Sequence, residues 1–570
     1  MEAPGQPQPQ AGWQGRHAVE LYVRTYSTML QSSGWIRLDS LASVHVGMGS
    51  SLHGLAAQRE VDMGAFLYSV RRLPREIARV RRVILGQSPH RFRSVLALDV
   101  EGWRRVKAPA RRRPWYYDGG EALAVFLASN SDIDDLLPTL VAYEIEWNKL
   151  HLALRDSAAG LDGARHAAGA SDDDWERLRE AWGPDFEGML AGVRSRRCQL
   201  SIRLVGGSQV GFARNAGRWW QPIQAELDLL GLAEAPVYFV SSNVHSLVNV
   251  VSGVARSLEA EIMDFTRRTD PDLSEELRKL DEGRSPASRE NWLYFAARGL
   301  FDRHPEVTRL RAERSELERT VGIHHLAAPE GGVDSAAQIF RLSELDASRL
   351  DPRIGTVDAL ALAASPAYVL NVDYPLGLGA YHLLRQIAES VLWINGVYVI
   401  GKAATLNAQV GDVMLPNVVY NEHSGNTYWL DNCFDAGSVQ PYLEFGSALD
   451  HQRAVTVRGT FLQNRDYLDF YYQGRYTVVE MEAGPYIDAC YEVLQPSRYP
   501  LNENVSMTQL SLDLGIIHYA SDTPYTQART LGARGLSYRG MDATYASSIA
   551  VMRRVLQQEG ALAGPEAAAP

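Results

Sequence analysis

Two short acidic motifs near the C-terminus carry the residue types best suited to chemistry. They are Val479-Glu480-Met481-Glu482-Ala483 and, about forty residues later, Ala520-Ser521-Asp522. Each ends an apolar run, which places a carboxylate at the mouth of a sheet. An ionised carboxylate presents two acceptor oxygens, enough for a vicinal pair of hydroxyls. A carboxyl in a partly dry pocket has a raised pKa and can deliver a proton to a departing group.

From about residue 355, short apolar strands alternate with helices: Ala367 to Val372, a helix from Gly379 to about Leu392, Gly396 to Ile400, and Tyr476 to Val479. This pattern predicts an α/β domain with a buried central sheet. Its first strand runs into Asn371-Val372-Asp373-Tyr374-Pro375-Leu376-Gly377. A second segment, Gly401-Lys402-Ala403-Ala404-Thr405-Leu406-Asn407, leads into Val410-Gly411-Asp412-Val413-Met414-Leu415-Pro416. Small residues after a strand let a ligand approach the backbone closely. Tyr420 to Tyr428 is dense in hydrogen-bonding side chains, His423 among them. It reads equally as a ligand loop or as a surface turn built on Asn and Gly.

Taken in order, these segments resemble the nucleoside phosphorylase and nucleosidase superfamily, over roughly residues 360–557. The spacing around Ser521-Asp522-Thr523-Pro524, with Arg529 and a C-terminal helix from about Met541 to Gln557, most resembles AMP nucleosidase. The resemblance implies a phosphorylase-like α/β domain with a twisted mixed central sheet flanked by helices. It implies that Met481 packs on a sugar, that Glu482 grips ribose hydroxyls, and that Asp522 protonates the purine at N7. Lys402, Arg529 and His423 join the expected substrate-binding residues, and Asp373 is the expected water-activating base. Glu480 is read as a structural hydrogen-bonding group.

Two departures from the superfamily pattern matter. Where the phosphorylases carry a phosphate-binding arginine in the first turn, this chain has Gly377. In place of their Arg-x-Gly-Ser it has Val399-Ile400-Gly401-Lys402. Lys402 supplies only a point charge. The expectation is therefore cleavage of the N-glycosidic bond of a purine nucleoside or nucleotide by hydrolysis. Phosphorolysis with inorganic phosphate is the alternative, and a non-catalytic nucleotide sensor is a third reading. No metal or organic cofactor is called for. By resemblance, the protein is expected to be a homo-oligomer.

Composition bounds the rest. The chain has 570 residues, 46% of them hydrophobic, and a formal net charge of -11. An acidic balance argues against nucleic acid or a membrane surface as partner. Three cysteines (Cys198, Cys433 and Cys490) form no CxxC pair and fit a reducing cytoplasm. No run of eighteen apolar residues and no apolar leader is present, so neither a membrane span nor a signal peptide is expected.

Residues 1–15 and 561–570 read as disordered tails, 16–155 as mostly helical, 156–175 as a linker, and 176–350 as an α/β region without an assigned role. The loop Ser241 to Ser246, containing Ser242, Asn243 and His245, follows an apolar strand and reads evenly as a ligand loop or ordinary capping. An arginine-rich stretch, Arg71 to Arg113, is expected to be a solvated helix face paired with the acidic excess. His324-His325 lacks the spacing of a metal site.

Overall fold

The structure is a computed structural model that describes residues 9–32, 34–155, 161–329, 331–495, 498–508, 511–523 and 538–562. Among them the strands form two sheets. The first holds β1 (Ile36–Arg37), β2 (Arg82–Gly86), β3 (Arg104–Ala108), β4 (Arg111–Tyr117), β5 (Ala122–Phe126) and β6 (Ser201–Leu204), in the order β1-β6-β2-β5-β4-β3. Its centre follows from two apolar runs. Val83-Ile84-Leu85 and all of β5 are buried and pair in parallel. Strands covered on both faces need no polar alternation. Helix predominates over 16–155, but this sheet was not expected there. Its strand β4, one in from the edge, is masked by the arginines Arg111-Arg112-Arg113.

The second sheet holds β7 (Val237–Ser242), β8 (Ile323–Leu326), β9 (Ala337–Arg341), β10 (Tyr368–Asp373), β11 (Ile394–Thr405), β12 (Val413–Asn421), β13 (Asn426–Leu430), β14 (Ala448–Thr456), β15 (Val478–Glu480), β16 (Asn504–Met507) and β17 (Asp513–Asp522). The order is β16-β13-β12-β14-β15-β11-β7-β10-β9-β8, with β17 paired to β11 and β12. β7 pairs in parallel with both β10 and β11, and β11 in parallel with β17. β9 and β12 run antiparallel to β10 and β17. The domain is thus mixed α/β, as expected, but its sheet begins before residue 355. β7, β8 and β9 come from the region left without a role, and β7 lies between β10 and β11.

Alternate residues of these strands feed two cores, as the period of two requires. Val237, Phe239, Val397 and Val399 pack with the helices Gln209–Leu229, Gly379–Ser390 and Ala483–Leu494. Tyr238, Val240, Tyr398 and Ile400 pack with Arg289–Arg303 and Tyr538–Gln558 on the other face.

One further expectation is corrected. The stretch read as a linker holds the helix Leu161–Ala167 and the start of the helix Asp172–Trp182. Asp172, Asp173 and Asp174 lie in the first turn of the second helix, where the helix dipole favours acids. The helix Asn130–Arg155 carries Pro138 in its interior. Proline has no N–H to offer the carbonyl of Asp134. Gly459 packs against that carbonyl so closely that a Cβ there would sit 3.0 Å from it.

Candidate active site

The ends of β10, β11, β15 and β17 gather most of the expected residues. In register, Ala404 of β11 pairs with Val479 of β15 and with Asp522 of β17. The two acidic motifs therefore flank β11, with their backbones about 10 Å apart at the usual strand spacing.

Glu480 and Glu482 do different work. Glu480 is buried. Its carboxylate accepts from Thr456 Oγ1 and from the backbone N–H groups of Glu482 (2.7 Å) and Ala483 (2.6 Å). It thereby satisfies orphan donors where the Ala483–Leu494 helix starts. This is the structural role read from the sequence. Glu482 is the N-cap residue of that helix, and its Oε1 accepts from Gly377 N at 3.2 Å. Burial pushes its pKa up to about 8, with the neighbouring Glu480 adding to the rise. The Gly377 N–H and the Arg111 guanidinium pull the other way. Met481 lies between them and packs against the cluster of Val479, Tyr467 and Tyr471.

Asp522 ends β17 and is buried. Ser521 beside it donates to the carbonyl of Ala403 at 3.3 Å. Lys402, on β11, lies within electrostatic reach of Asp522. Burial lowers the ammonium's pKa, Arg298 lowers it further, and Asp522 opposes the shift. His245, in the loop after β7, senses the same cations. Burial pushes its pKa down to about 3, with Arg298, Arg314 and Lys402 adding to the effect, and its Nδ1 has no partner. Asn243 in that loop accepts from the backbone N–H groups of His245 and Ser246, a capping role. Tyr374 and Tyr519 share a hydroxyl contact of 3.2 Å between the two halves of the site.

Asp373 ends β10 and is not free. Arg112 of β4 pairs with its carboxylate and donates to the carbonyl of Tyr374 at 2.6 Å. The arginine stretch is therefore no solvated helix face at its C-terminal end. Arg111, Arg112 and Arg113 lie on a strand at the junction of the two sheets. Arg111 makes a bidentate pair with Asp135 (2.7 and 3.1 Å), and Arg113 bonds Asp132 (2.8 Å) and Asp135 (3.1 Å). Both carboxylates are buried. The two guanidiniums hold Asp135 well below the usual carboxylate range, against its burial. Sequence reasoning missed this cation supply. Its signal was the arginine triplet followed about twenty residues on by Asp132, Asp134 and Asp135.

The remaining expected residues fall elsewhere. His423 sits in the β12–β13 hairpin and lines a separate cavity with Leu378 and Arg458. Arg529 lies outside the described residues. His324 and His325, read as non-metal histidines, bond Glu226 (2.9 Å) and Glu318 (2.6 Å). No described helix is long and apolar enough to cross a membrane.

Fold and site together define a mixed α/β protein with paired carboxylates at the strand ends and a second, arginine-bearing sheet docked against them. The chain matches DUF6909, a family of unknown function, over residues 38–557, and belongs to it. No curated protein matches it. Solved structures similar to it are nucleosidases and phosphorylases. One is a 5′-methylthioadenosine/S-adenosylhomocysteine nucleosidase from Colwellia psychrerythraea in complex with adenine (14% identity, 42% of this chain and 86% of that one, TM-score 0.24). Another is a uridine phosphorylase from Schistosoma mansoni in complex with uracil (11%, 45% and 84%, 0.26). A third is an S-adenosylhomocysteine nucleosidase from Streptococcus pyogenes (8%, 57% and 97%, 0.27). Scores of this size leave the question of activity to the chain's own residues.

Proposed function

We propose that the protein cleaves the N-glycosidic bond of a purine nucleoside or nucleotide by hydrolysis. The observation that carries this reading is the placement of Glu482 and Asp522 on either side of β11, with Asp522 buried and Glu482 partly buried. As the C1′–N9 bond breaks, its electron pair stays with the purine, and the sugar acquires oxocarbenium character. Asp522, as a carboxylic acid, passes its proton to N7 of the departing base. Water adds to C1′ from the opposite face and gives up a proton to Asp373. Glu482 holds the ribose hydroxyls. Burial pushes its carboxyl up to about 8 against the field of Arg111, so at neutral pH it meets those hydroxyls as donor and acceptor.

A second reading is a nucleotide-binding protein without turnover. The pair that Arg112 closes on Asp373 favours it, because a general base must be free to reach water. One experiment separates them. The protein is incubated with a panel of nucleosides and nucleotides, with and without phosphate, and free base is followed by chromatography. Base release without phosphate is the expected result. Release only with phosphate means phosphorolysis, and binding without release means a sensor.

A further inference from the structure

Two buried histidines outside the candidate site belong to one continuous hydrogen-bonded chain. Tyr22 comes from the Pro9–Leu30 helix, His45 from the Ala42–Gly47 helix, His53 from the loop that follows, and Glu146 from the Asn130–Arg155 helix. Tyr22 Oη lies 3.1 Å from His45 Nδ1, His45 Nε2 lies 3.0 Å from His53 Nδ1, and His53 Nε2 lies 2.7 Å from Glu146 Oε1. All four side chains are buried. The far end fixes the direction of donation. Glu146 also takes the Lys149 ammonium on Oε1 (2.7 Å) and the backbone N–H of Asp62 on Oε2 (2.6 Å). A carboxylate that receives three donors acts as an acceptor only. His53 Nε2 therefore carries a hydrogen, His53 Nδ1 accepts from His45 Nε2–H, and His45 Nδ1 accepts from the Tyr22 hydroxyl. With both imidazoles neutral, every group in the chain has its partner.

One added proton breaks this order. A His45 imidazolium donates at both nitrogens. Its Nδ1–H then turns on the Tyr22 oxygen, and the Tyr22 hydroxyl hydrogen is left with no acceptor among the described residues. A proton entering at His53 has the same result, because His45 must shift its hydrogen to Nδ1. A buried donor left unpaired is costly. Burial also holds the His45 pKa well below the ordinary 6.5, and His53 adds to the effect. The other groups around the chain are engaged elsewhere. Lys149 donates to the carbonyl of Leu55 (2.7 Å), Asp62 accepts from the N–H groups of Leu55 (3.0 Å) and Ala65 (3.1 Å), and Tyr26 donates to Asp134. Tyr68 presents its ring to Phe461 at 5.1 Å. The chain lies where the two halves of the molecule meet. Phe461, from the connection between β14 and the Arg465–Gln473 helix, packs on both imidazoles with ring centroids 6.0 and 6.2 Å away. Beside it, Ser51 N donates to the carbonyl of Gln463 (2.7 Å) and Asn464 Nδ2 to that of Met48 (2.8 Å).

We infer that the Tyr22–His45–His53–Glu146 chain is an acid-sensitive latch between the two halves: with both imidazoles neutral it holds the Ala42–Gly47 helix and the loop after it against Phe461, and a proton on the imidazoles releases them. Protonated histidine pairs at packed interfaces are a general means of sensing pH. Opening returns His45 to water, where it takes up a proton at its ordinary pKa of 6.5. The closed form binds that proton only at a lower pH. The latch is therefore fully closed above about 6.5 and weakens as pH falls below it, by up to about tenfold in the opening equilibrium per pH unit. The inference goes beyond the reaction proposed above and does not depend on it, because its readout is local opening.

The test uses the full chain and hydrogen-exchange mass spectrometry at pH 7.5 and 5.5, with rates corrected for the intrinsic pH dependence of exchange. Protection over residues 42–55 and 459–464 should fall by about tenfold on acidification, while the Gly379–Ser390 helix keeps its protection. Two variants locate the effect, and circular dichroism at pH 7.5 checks that each is folded. His45→Gln keeps one acceptor and one donor and cannot titrate, so its acid fall should be less than about twofold. Tyr22→Phe removes the donor that favours the neutral ring. It should lower protection at pH 7.5 and shrink the acid fall. Protection equal at the two pH values in the parent overturns the inference, and so does a fall spread evenly over the whole chain. A fall of the parent's size in His45→Gln, or in Tyr22→Phe where His45→Gln does not fold, overturns it as well.

Discussion

Arg112 and Asp373 join the two sheets of this protein: the guanidinium leaves β4 of the first and closes on the carboxylate that ends β10 of the second. The same arginine holds the carbonyl of Tyr374. One residue thus fixes both the candidate base and the turn behind it. The pair is part-exposed on the arginine side, so its net worth is small, about 0–1 kcal/mol. Arg112→Gln should leave the unfolding temperature within about 5 °C of the parent. Amide exchange over residues 373–377 should nevertheless quicken, as read by hydrogen-exchange mass spectrometry. Unchanged exchange there would mean that the turn is held by other contacts.

Gly377 stands where only glycine fits. Its φ is +50, in the left-handed region, and a Cβ there would meet the Cβ of Ser131 at 2.6 Å. Ser131 belongs to the helix that also donates Asp132 and Asp135 to the arginines. No larger side chain fits while the two halves are docked. Gly377→Ala should destabilise the protein by about 1–3 kcal/mol in denaturant unfolding. Ser131→Gly should restore only the steric part of the loss, because the backbone strain of a left-handed alanine stays.

The α/β domain was legible where burial is two-sided. β10, β11 and β17 are apolar runs because both their faces meet helices, and the helix after β10 follows its own period. The insertion of β7 between β10 and β11 was not legible. Its partners lie more than a hundred residues away, and parallel pairing leaves no local mark. Glu480 is read from the sequence as a structural hydrogen-bonding group, and the bonds to Thr456, Glu482 and Ala483 bear that out. Arg112 could not be placed, because a half-exposed arginine on a strand looks the same whether it faces solvent or a carboxylate from the other half of the chain.

Glu482 ties stability to pH. Its pKa rises on folding from 4.5 to about 8, so the folded state holds a proton that the unfolded state has released over that interval. Stability contributed by this proton is complete below about 4.5 and is lost as pH rises toward 8. The slope is at most about 1.4 kcal/mol per pH unit for one group. Glu482→Gln keeps an acceptor for the Gly377 N–H and cannot titrate. Between pH 5 and 8 the variant's unfolding free energy should therefore fall less than the parent's. Parallel pH dependences would place the Glu482 pKa near its unfolded value.

Asp522 and Glu482 should separate in kinetics. An amide at position 522 keeps its size and can still hydrogen-bond the base, but it cannot deliver a carboxylic proton as the purine leaves. An interaction made chiefly in the transition state appears in kcat rather than in uniform binding. Asp522→Asn should therefore lower kcat by about 10²–10⁴-fold and leave KM within a few-fold. Glu482→Ala should damage both parameters, because the ribose is gripped before and during cleavage. Lys402→Met should lower turnover less than Asp522→Asn does, since Lys402 acts on Asp522 through its field. All three are measured by base release from the substrate that the panel identifies, without added phosphate. On the resemblance read from the sequence, Gly377 and Val399 replace phosphate-binding arginines, so water is the expected nucleophile and turnover should not depend on phosphate. A strict phosphate requirement would restore phosphorolysis. Full turnover by Asp522→Asn would remove Asp522 as the acid and leave Glu482, with its raised pKa, as the proton donor.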